Sequence, residues 1–301
     1  MKLGCACWLF TEGRFLPPYE PAVDAVGELG FQGIEFILRN TDDLQDYWTV
    51  ARVDGLRRQC ERHGLDVSQF VFFQDAVAGL ASLRTGERER ALEVFERGTR
   101  IAKALGSPIV NFVSQWPVGM EAPVAYVPRY WYTNQPGVSE FNPKLSMRLP
   151  QPFDWDQIWE NYVGSVRTCA RIAADHGLKL AVEGHAHVIV PHTDSFLRLS
   201  EHVREPALGY NYDTAWQLVQ REYIPWSIYK LKGKLLNVHA RDGDGLHCYA
   251  LPPGQGIIDW AGVFEALRAI GYDAFVSLEI SNYQEPHRWA AEARRYLAQW
   301  V

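Results

Sequence analysis

The sequence has few cysteines, and they are neither dense nor even in number. Five occur among 301 residues, namely Cys5, Cys7, Cys60, Cys169 and Cys248. A disulfide framework would need a denser and even set, so we expect reduced thiols in a cytoplasmic protein. Cys5 and Cys7 are too closely spaced for a zinc knuckle, and no second pair accompanies them.

Long apolar runs and an excess of basic charge are also missing. No stretch of about 18 apolar residues could span a bilayer, and the N-terminal segment is a poor signal peptide. The chain carries 30 basic and 36 acidic residues, giving a net charge of −6. These absences argue against a membrane protein, and against nucleic acid or an anionic membrane as the main partner.

A dinucleotide-binding turn is missing as well, because no Gly-x-Gly-x-x-Gly follows the first apolar stretch. The sequence does contain eight short apolar stretches, and helical patterns lie between most of them. This alternation predicts a single (β/α)8 TIM barrel over residues 1–301, with an open doubly wound sheet as the alternative. The predicted strands are residues 2–10, 33–37, 67–73, 108–113, 179–183, 208–213, 235–240 and 275–280.

One connection in this pattern is unusually long. Residues 115–154, between the fourth strand and the next helix, show no convincing helix or strand pattern and are rich in aromatic residues and proline. Long loops of this kind are typically functional lids or disordered segments, and the aromatic content favours an ordered lid. An arm that contacts another subunit is the alternative.

Residues suited to metal binding end four consecutive predicted strands. In a parallel barrel alternate residues face the lumen, and functional groups collect at the carboxyl-terminal rim. Any one of these residues could be a helix cap or a bystander, but four successive strand ends predict a site for one divalent ion. The set is rich in oxygen and suits Mn²⁺, Mg²⁺, Co²⁺ or Zn²⁺. These four residues, called here the rim cluster, are Glu183, Asp213, His239 and Glu279.

The chain resembles the xylose isomerase-like TIM-barrel superfamily of sugar isomerases and epimerases. The resemblance covers nearly all of the chain except residues 115–154. It implies that the rim cluster holds one divalent metal, Mn²⁺ foremost, and that the enzyme moves a proton at the carbon beside the carbonyl of a keto-sugar. It rests on FQGIEF at 31–36, AVEGHAH at 181–187, LGYNYDTAW at 208–216, NVHARD at 237–242 and the segment 254–280.

Further candidate residues lie near the rim cluster. His185, two positions after Glu183 and on the same side of the chain, is the candidate general base or acid, and Glu183 and Glu279 are further catalytic candidates. Each substrate-contact candidate has a structural alternative, such as a loop-bracing role for Glu35 or a surface salt bridge for Arg241. The substrate-contact candidates are Glu35, Trp116, His187, Trp216 and Arg241, and Trp8, His192, Asp242 and His247 are weaker ones.

Two positions depart from the ketose 3-epimerases of this fold. Trp216 stands where those enzymes have a histidine, three positions after the aspartate of the sixth strand. Ile189 stands where they have a carboxylate, six positions after the glutamate of the fifth strand. The chain also resembles catalytic subunits of bacterial C-glycoside-deglycosylating enzymes. Those subunits cleave the C–C bond of 3-oxo aryl C-glycosides by elimination, and a wall formed by Trp216 and the lid would suit an aryl group.

The expected partner is a small-molecule carbohydrate or an aryl glycoside. We also expect an oligomer, and a small β-rich partner subunit if the chain resembles the deglycosylating enzymes in this respect too. The DNA endonucleases of the superfamily need more histidines at strand ends and a basic face, which disfavours that activity here. A non-catalytic binding barrel is a distant alternative, since it would not need four intact ligands.

Overall fold

The computed structural model describes residues 1–13, 15–117, 149, 151–245, 250–280 and 283–301. The predicted lid at 115–154 therefore lies largely outside the described residues, as do His247 and Cys248. The other four cysteines are free and buried. Among the described helices, none is long and apolar enough to cross a membrane.

Eight parallel strands form a closed barrel, in which each strand pairs with the next and β8 pairs with β1. Helices alternate with the strands, which confirms the predicted (β/α)8 barrel. The strands are β1 (Lys2–Ala6), β2 (Gly33–Leu38), β3 (Asp66–Phe72), β4 (Ile109–Val113), β5 (Lys179–Glu183), β6 (Leu208–Asp213), β7 (Leu235–Ala240) and β8 (Phe275–Leu278). The described α-helices are α1 (Glu20–Glu28), α2 (Asp43–Asp46), α3 (Val50–His63), α4 (Thr85–Leu105), α5 (Trp155–Asp175), α6 (Thr193–Val203), α7 (Thr214–Val219), α8 (Ile224–Lys230), α9 (Trp260–Ala269) and α10 (Pro286–Leu297).

The strands are buried along most of their length because helices cover their outer face and side chains fill the lumen. Helix α4 can approach β3 closely at Gly98, where a Cβ atom would lie only 2.3 Å from Cε1 of Phe72. Helix α3 ends at Gly64, whose φ of 65° is the left-handed conformation expected after a helix. Gly98 thus lets α4 pack closely on the sheet, and Gly64 lets the chain turn towards the next strand.

Three strands, β5, β6 and β7, have the predicted bounds, and most of the others differ by one or two residues. The first prediction is wrong at its end, because β1 stops at Ala6 and Cys7–Leu9 forms a 3₁₀ turn. The residues of this turn are buried and apolar, so their sequence does not distinguish them from a buried strand. Strand β2 continues to Leu38, one residue beyond the predicted end, and Glu35 lies in the middle of the strand.

The middle of the barrel lumen is polar, whereas such barrels are usually filled by branched aliphatic side chains. The strand register places two polar residues in the lumen. Asn111 pairs with Ala181 and Ser277 pairs with His239, at positions that face the lumen. The polar side chains of the lumen, called here the lumen layer, are those of Glu35, Gln69, Asn111, Asn211, Asn237 and Ser277. All of them are buried, and they lie beneath the residues that end the strands.

Candidate metal centre

The four residues of the rim cluster meet at the carboxyl-terminal rim. Glu183 and Asp213 are the last residues of β5 and β6, His239 lies one residue before the end of β7, and Glu279 directly follows β8. One ligand atom from each residue lies within 4.8 Å of the others. Oxygen atoms bound to one ion at about 2.0–2.6 Å are at most about 5 Å apart, so this spacing suits a single cation.

His239 lies at the centre of the cluster, with its two ring nitrogens in different surroundings. Its Nδ1 atom is 3.0 Å from Oε2 of Glu279 and 3.3 Å from Oε2 of Glu183. Its Nε2 atom is 2.8 Å from Oε2 of Glu35, deeper in the lumen. Nδ1 therefore faces two other predicted ligands, and Nε2 faces Glu35.

Glu183 is held by one group below the rim and one beside it. Nδ2 of Asn211 donates to its Oε2 atom at 2.7 Å. Its Oε1 atom lies 2.9 Å from Nε2 of His185, and because a carboxylate only accepts, the imidazole is the donor. The ring of His185 is in turn stacked on Trp216, with centroids 4.4 Å apart. The side chain of His185, the predicted base, is therefore held by its contacts with Trp216 and with the predicted ligand Glu183.

Asp213 and Arg241 form a buried ion pair within the cluster. One oxygen of Asp213 accepts from the backbone N–H groups of Ala215 and Trp216, at 2.9 and 3.0 Å, and so caps helix α7. The other oxygen contacts Nη2 of Arg241, which lies 3.2 Å from Oε2 of Glu279. Arg241 was predicted to make either a substrate contact or a surface salt bridge, and the ion pair that it makes is buried.

The charges of the site shift the pKa values of its members in opposite directions. Burial raises the pKa of Asp213 to about 6, although Arg241 opposes the rise. Burial would also raise the pKa of Glu183, but His239 and His185 outweigh it and hold that pKa well below its ordinary value. Burial would lower the pKa of His239, but Glu35 and Glu279 raise it well above the usual range. Burial likewise disfavours ionised Glu279, yet Arg241 and His239 lower its pKa.

The donor set fits a divalent cation. Four carboxylates, those of Glu35, Glu183, Asp213 and Glu279, lie in contact with His239 or Arg241. Grouped carboxylates with so little compensating positive charge are costly in a buried site. Oxygen-rich sets with one imidazole suit Mn²⁺, Mg²⁺, Co²⁺ or Zn²⁺, so these residues match the predicted kind of cofactor.

Two tryptophans lie beside residues of the site, and a third is stacked on another histidine. Trp116 is stacked with His187, with centroids 6.3 Å apart, and Trp8 meets the ring of His239 edge-on at 6.4 Å. The guanidinium carbon of Arg241 lies 5.8 Å from the ring centroid of Trp216. Among the predicted substrate contacts, Trp216 and Arg241 thus lie beside the cluster, whereas Glu35 lies beneath it.

Two weaker candidates have structural contacts. The side chain of His192 accepts from the N–H of Ser195 and caps helix α6. Asp242 accepts from the N–H groups of Gly243, Gly254 and Ile258 and from the indole of Trp260, so it shapes the loop after β7. Both side chains therefore hold local structure near the rim.

Sequence reasoning missed the amides that support the cluster. Asn211 contacts both Glu183 and His239, while Gln69 and Asn237 each donate to Glu35. Asn211 and Asn237 lie two positions before Asp213 and His239, so the strand alternation that identified the ligands would also have placed these amides in the lumen. Their neutral side chains gave no chemical reason to select them.

Known proteins resemble this chain in sequence and in fold. The chain is 22% identical over 170 residues to inosose dehydratase of Geobacillus thermodenitrificans, a match that covers 49% of this chain and 56% of that protein. The chain spans about half the length of the curated relatives it matches.

Solved structures cover the whole barrel and agree in fold. D-psicose 3-epimerase from Clostridium cellulolyticum H10 matches with a TM-score of 0.77 and 18% identity, over 100% of this chain and 99% of that one. The 3-keto-D-glucoside 4-epimerase of E. coli matches with a TM-score of 0.73 and 16% identity, over 99% of each chain. The family model for the xylose isomerase-like TIM barrel matches residues 23–300, and the chain therefore belongs to this family.

Proposed function

We propose that the protein is a divalent-metal-dependent enzyme of the sugar isomerase and epimerase type, which removes a proton from the carbon beside the carbonyl of a keto-sugar. The observation that carries this proposal is the rim cluster, whose ligand atoms converge within 4.8 Å. The named substrates of the relatives add support, because inososes, D-psicose and 3-keto-D-glucosides all contain a ketone.

The residues of the site have distinct roles in this proposal. The rim cluster would hold one cation, Mn²⁺ foremost, which when bound supplies Lewis-acid polarisation of the substrate carbonyl. Glu183 and Glu279 are the carboxylates that accept or return the proton. His185 donates to Oε1 of Glu183 at 2.9 Å and can exchange a proton with that carboxylate or with substrate. Its stacking on Trp216 keeps the ring in place for this transfer.

The groups around the cluster are proposed to bind the substrate. Arg241 offers a guanidinium that can donate to a hydroxyl or carbonyl oxygen. Trp116, His187 and Trp216 supply ring faces that can pack against a sugar ring or an aryl group. A small-molecule carbohydrate is accordingly the proposed partner, and the oligomer and the β-rich subunit remain predictions.

The first prediction separates metal binding from proton transfer. The wild-type protein should contain about one divalent ion per chain by elemental analysis, and in deuterated water it should introduce deuterium beside the ketone of a keto-sugar. Glu279→Gln should lose most of both. His185→Gln should keep the ion but slow deuterium incorporation by about 10²–10⁴-fold, the usual contribution of a general base or acid.

The matched control is His176→Gln, which removes an imidazole at the end of α5, away from the rim. It should resemble the wild type in both measurements. Equal metal content in the wild type and Glu279→Gln would contradict the proposed site. Undiminished deuterium incorporation in His185→Gln would leave proton transfer to Glu183 and Glu279 alone.

A second candidate reaction is favoured by Trp216, whose flat ring lies in the site, stacked on His185. Proton removal beside the ketone of a 3-oxo aryl C-glycoside leaves an enolate. The electrons of this enolate can expel the aryl carbon from the neighbouring position, and that carbon then takes up a proton. Both reactions begin with the same deprotonation, so the same cluster would serve either one.

The second prediction distinguishes the two reactions. If an aryl group stacks on Trp216, Trp216→His should slow turnover of 3-oxo aryl C-glycosides more than turnover of free ketoses, because each stacked pair contributes about 1 kcal/mol. The assay compares free ketoses, inososes and oxidised aryl glycosides with Mn²⁺ by chromatography. Trp226→His, which alters an exposed tryptophan of α8, is the control. Epimerisation of a free ketose without any cleavage of aryl conjugates would exclude the second reaction.

A further inference from the structure

Glu35 is buried beneath the rim and fully engaged by the protein itself. It is 0% exposed and lies inside β2, in register with Ala6 and Gln69. Its Oε1 atom accepts from Nδ2 of Asn237 at 3.1 Å. Its Oε2 atom accepts from Nε2 of Gln69 at 3.0 Å and lies 2.8 Å from Nε2 of His239. Both carboxylate oxygens therefore already have partners within the lumen layer and the rim cluster.

The contact with His239 determines which ring nitrogen carries a hydrogen. An ionised carboxylate can only accept, so a 2.8 Å contact between Oε2 of Glu35 and Nε2 of His239 requires a hydrogen on Nε2. On the other side of the ring, Nδ1 lies 3.0 Å from Oε2 of Glu279, so without a cation it carries a hydrogen as well. A cation shared by Nδ1, Glu183 and Glu279 would replace that hydrogen, whereas the hydrogen on Nε2 stays with Glu35.

The amide nitrogen of Gln69 competes with Glu35 for a hydrogen bond with Nε2 of His239. It lies 2.8 Å from Nε2 of His239, and a hydrogen bond to that nitrogen would favour the opposite tautomer. The same amide also donates to Glu35 at 3.0 Å. A hydrogen bond between an imidazole and a charged carboxylate is roughly twice as strong as one between neutral groups, so the contact with Glu35 prevails.

We infer that Glu35 is a positioning residue, which fixes the ring of His239 with Nδ1 directed at the cation of the rim cluster. This inference rests on the proposed metal site and gives Glu35 a role other than the predicted substrate contact. Nδ1 is the ring nitrogen that faces Glu183 and Glu279, so it is the one able to share a cation with them. A carboxylate on the far nitrogen also makes the ring a stronger ligand.

The third prediction follows from this role. Glu35→Gln keeps the size of the side chain but removes its charge, so the affinity for Mn²⁺, measured by titration calorimetry on chelator-treated protein, should fall about 10–100-fold. With Co²⁺ as a probe, the visible absorption bands should change, because the orientation of the imidazole ligand changes. Glu35→Asp restores the charge with a shorter reach and should recover part of the affinity.

The matched control is Ser277→Ala, which alters a buried side chain of the same lumen layer beside His239 in the sheet register. It should keep the wild-type affinity and Co²⁺ spectrum. A role of Glu35 in stability alone would lower the unfolding temperature of Glu35→Gln and leave both binding readouts unchanged, which would overturn the inference. If Glu35→Gln does not fold, Glu35→Asp must show a weaker affinity than the wild type, and an equal affinity would overturn it. A wild type that binds neither Mn²⁺ nor Co²⁺ would overturn the proposed function as well.

Discussion

The guanidinium of Arg241 contacts carboxylates of two proposed metal ligands, Asp213 and Glu279. Its own position is fixed through the backbone, because the hydroxyl of Thr214 accepts from the N–H of Arg241 and donates to its carbonyl oxygen. A metal ion would need the same carboxylate oxygens. Arg241 is therefore a counter-ion for the cluster, and it would compete with a cation for these residues.

The fourth prediction concerns this competition. Arg241→Met should bind Mn²⁺ more tightly than the wild type in calorimetric titrations, because a competing positive charge has been removed. The metal-free variant should be destabilised by about 3–5 kcal/mol in urea unfolding, since buried carboxylates lose their partner. Arg241→Lys keeps the charge and should lie between the two proteins. Weaker Mn²⁺ binding by Arg241→Met would instead make the guanidinium part of the support of the metal site.

Single residues also show which features of the site could not be predicted from the sequence. The alternation of a parallel strand was enough to bring Glu183, Asp213 and His239 to one rim. It could not reveal that Glu35 reaches His239, because contacts across the lumen depend on the tilt and stagger of strands that are far apart in sequence. Glu35 was selected as a possible substrate contact on the second strand, and only the structure indicates what its carboxylate contacts.

At the scale of elements, the strands that carry the rim cluster were the most predictable. Their ends coincide with a change from apolar to polar residues, as at Glu183 and Asp213. The turn after β1 could not be predicted in this way, because Cys7, Trp8 and Leu9 are buried like strand residues. Burial gives the same apolar pattern in a strand and in a covered turn, so composition alone does not separate them.

The loop after β7 is organised by one carboxylate, that of Asp242. It accepts at 2.9–3.1 Å from three backbone N–H groups and the indole of Trp260. In the described part of the loop, Asp242 also forms an isolated antiparallel bridge with Leu251. Because Asp242 follows Arg241 directly, this anchor fixes the direction in which the chain leaves the rim.

The fifth prediction tests the anchor. Asp242→Asn replaces one acceptor oxygen with an amide group that faces donors, so it should lower the free energy of unfolding by about 1–3 kcal/mol in urea titrations. Asp66→Asn is the control, since Asp66 pairs with Lys2 on the surface and its loss should cost at most about 1 kcal/mol. Equal stability of the two variants would mean that the loop does not depend on Asp242.

At the scale of the whole molecule, the residues of the proposed site are unevenly distributed over the eight strands. Strands β5 to β8 carry or directly precede the rim cluster, whereas β2 and β3 supply Glu35 and Gln69 beneath it. The regular alternation of strands and helices made the barrel predictable from the sequence. The segment 115–154 carries no such periodicity, and its role as a lid stays a prediction.

The closure of the barrel joins parts of the chain that are far apart in sequence. Strand β1 pairs with β8, and Glu35 meets His239 across 204 positions. During folding, the complete proposed cation site could therefore form only after both halves of the chain have come together. Partly folded chains would hold some of the ligands without the support beneath them, and would bind a cation weakly. Metal occupancy would then distinguish mature molecules from unfinished ones.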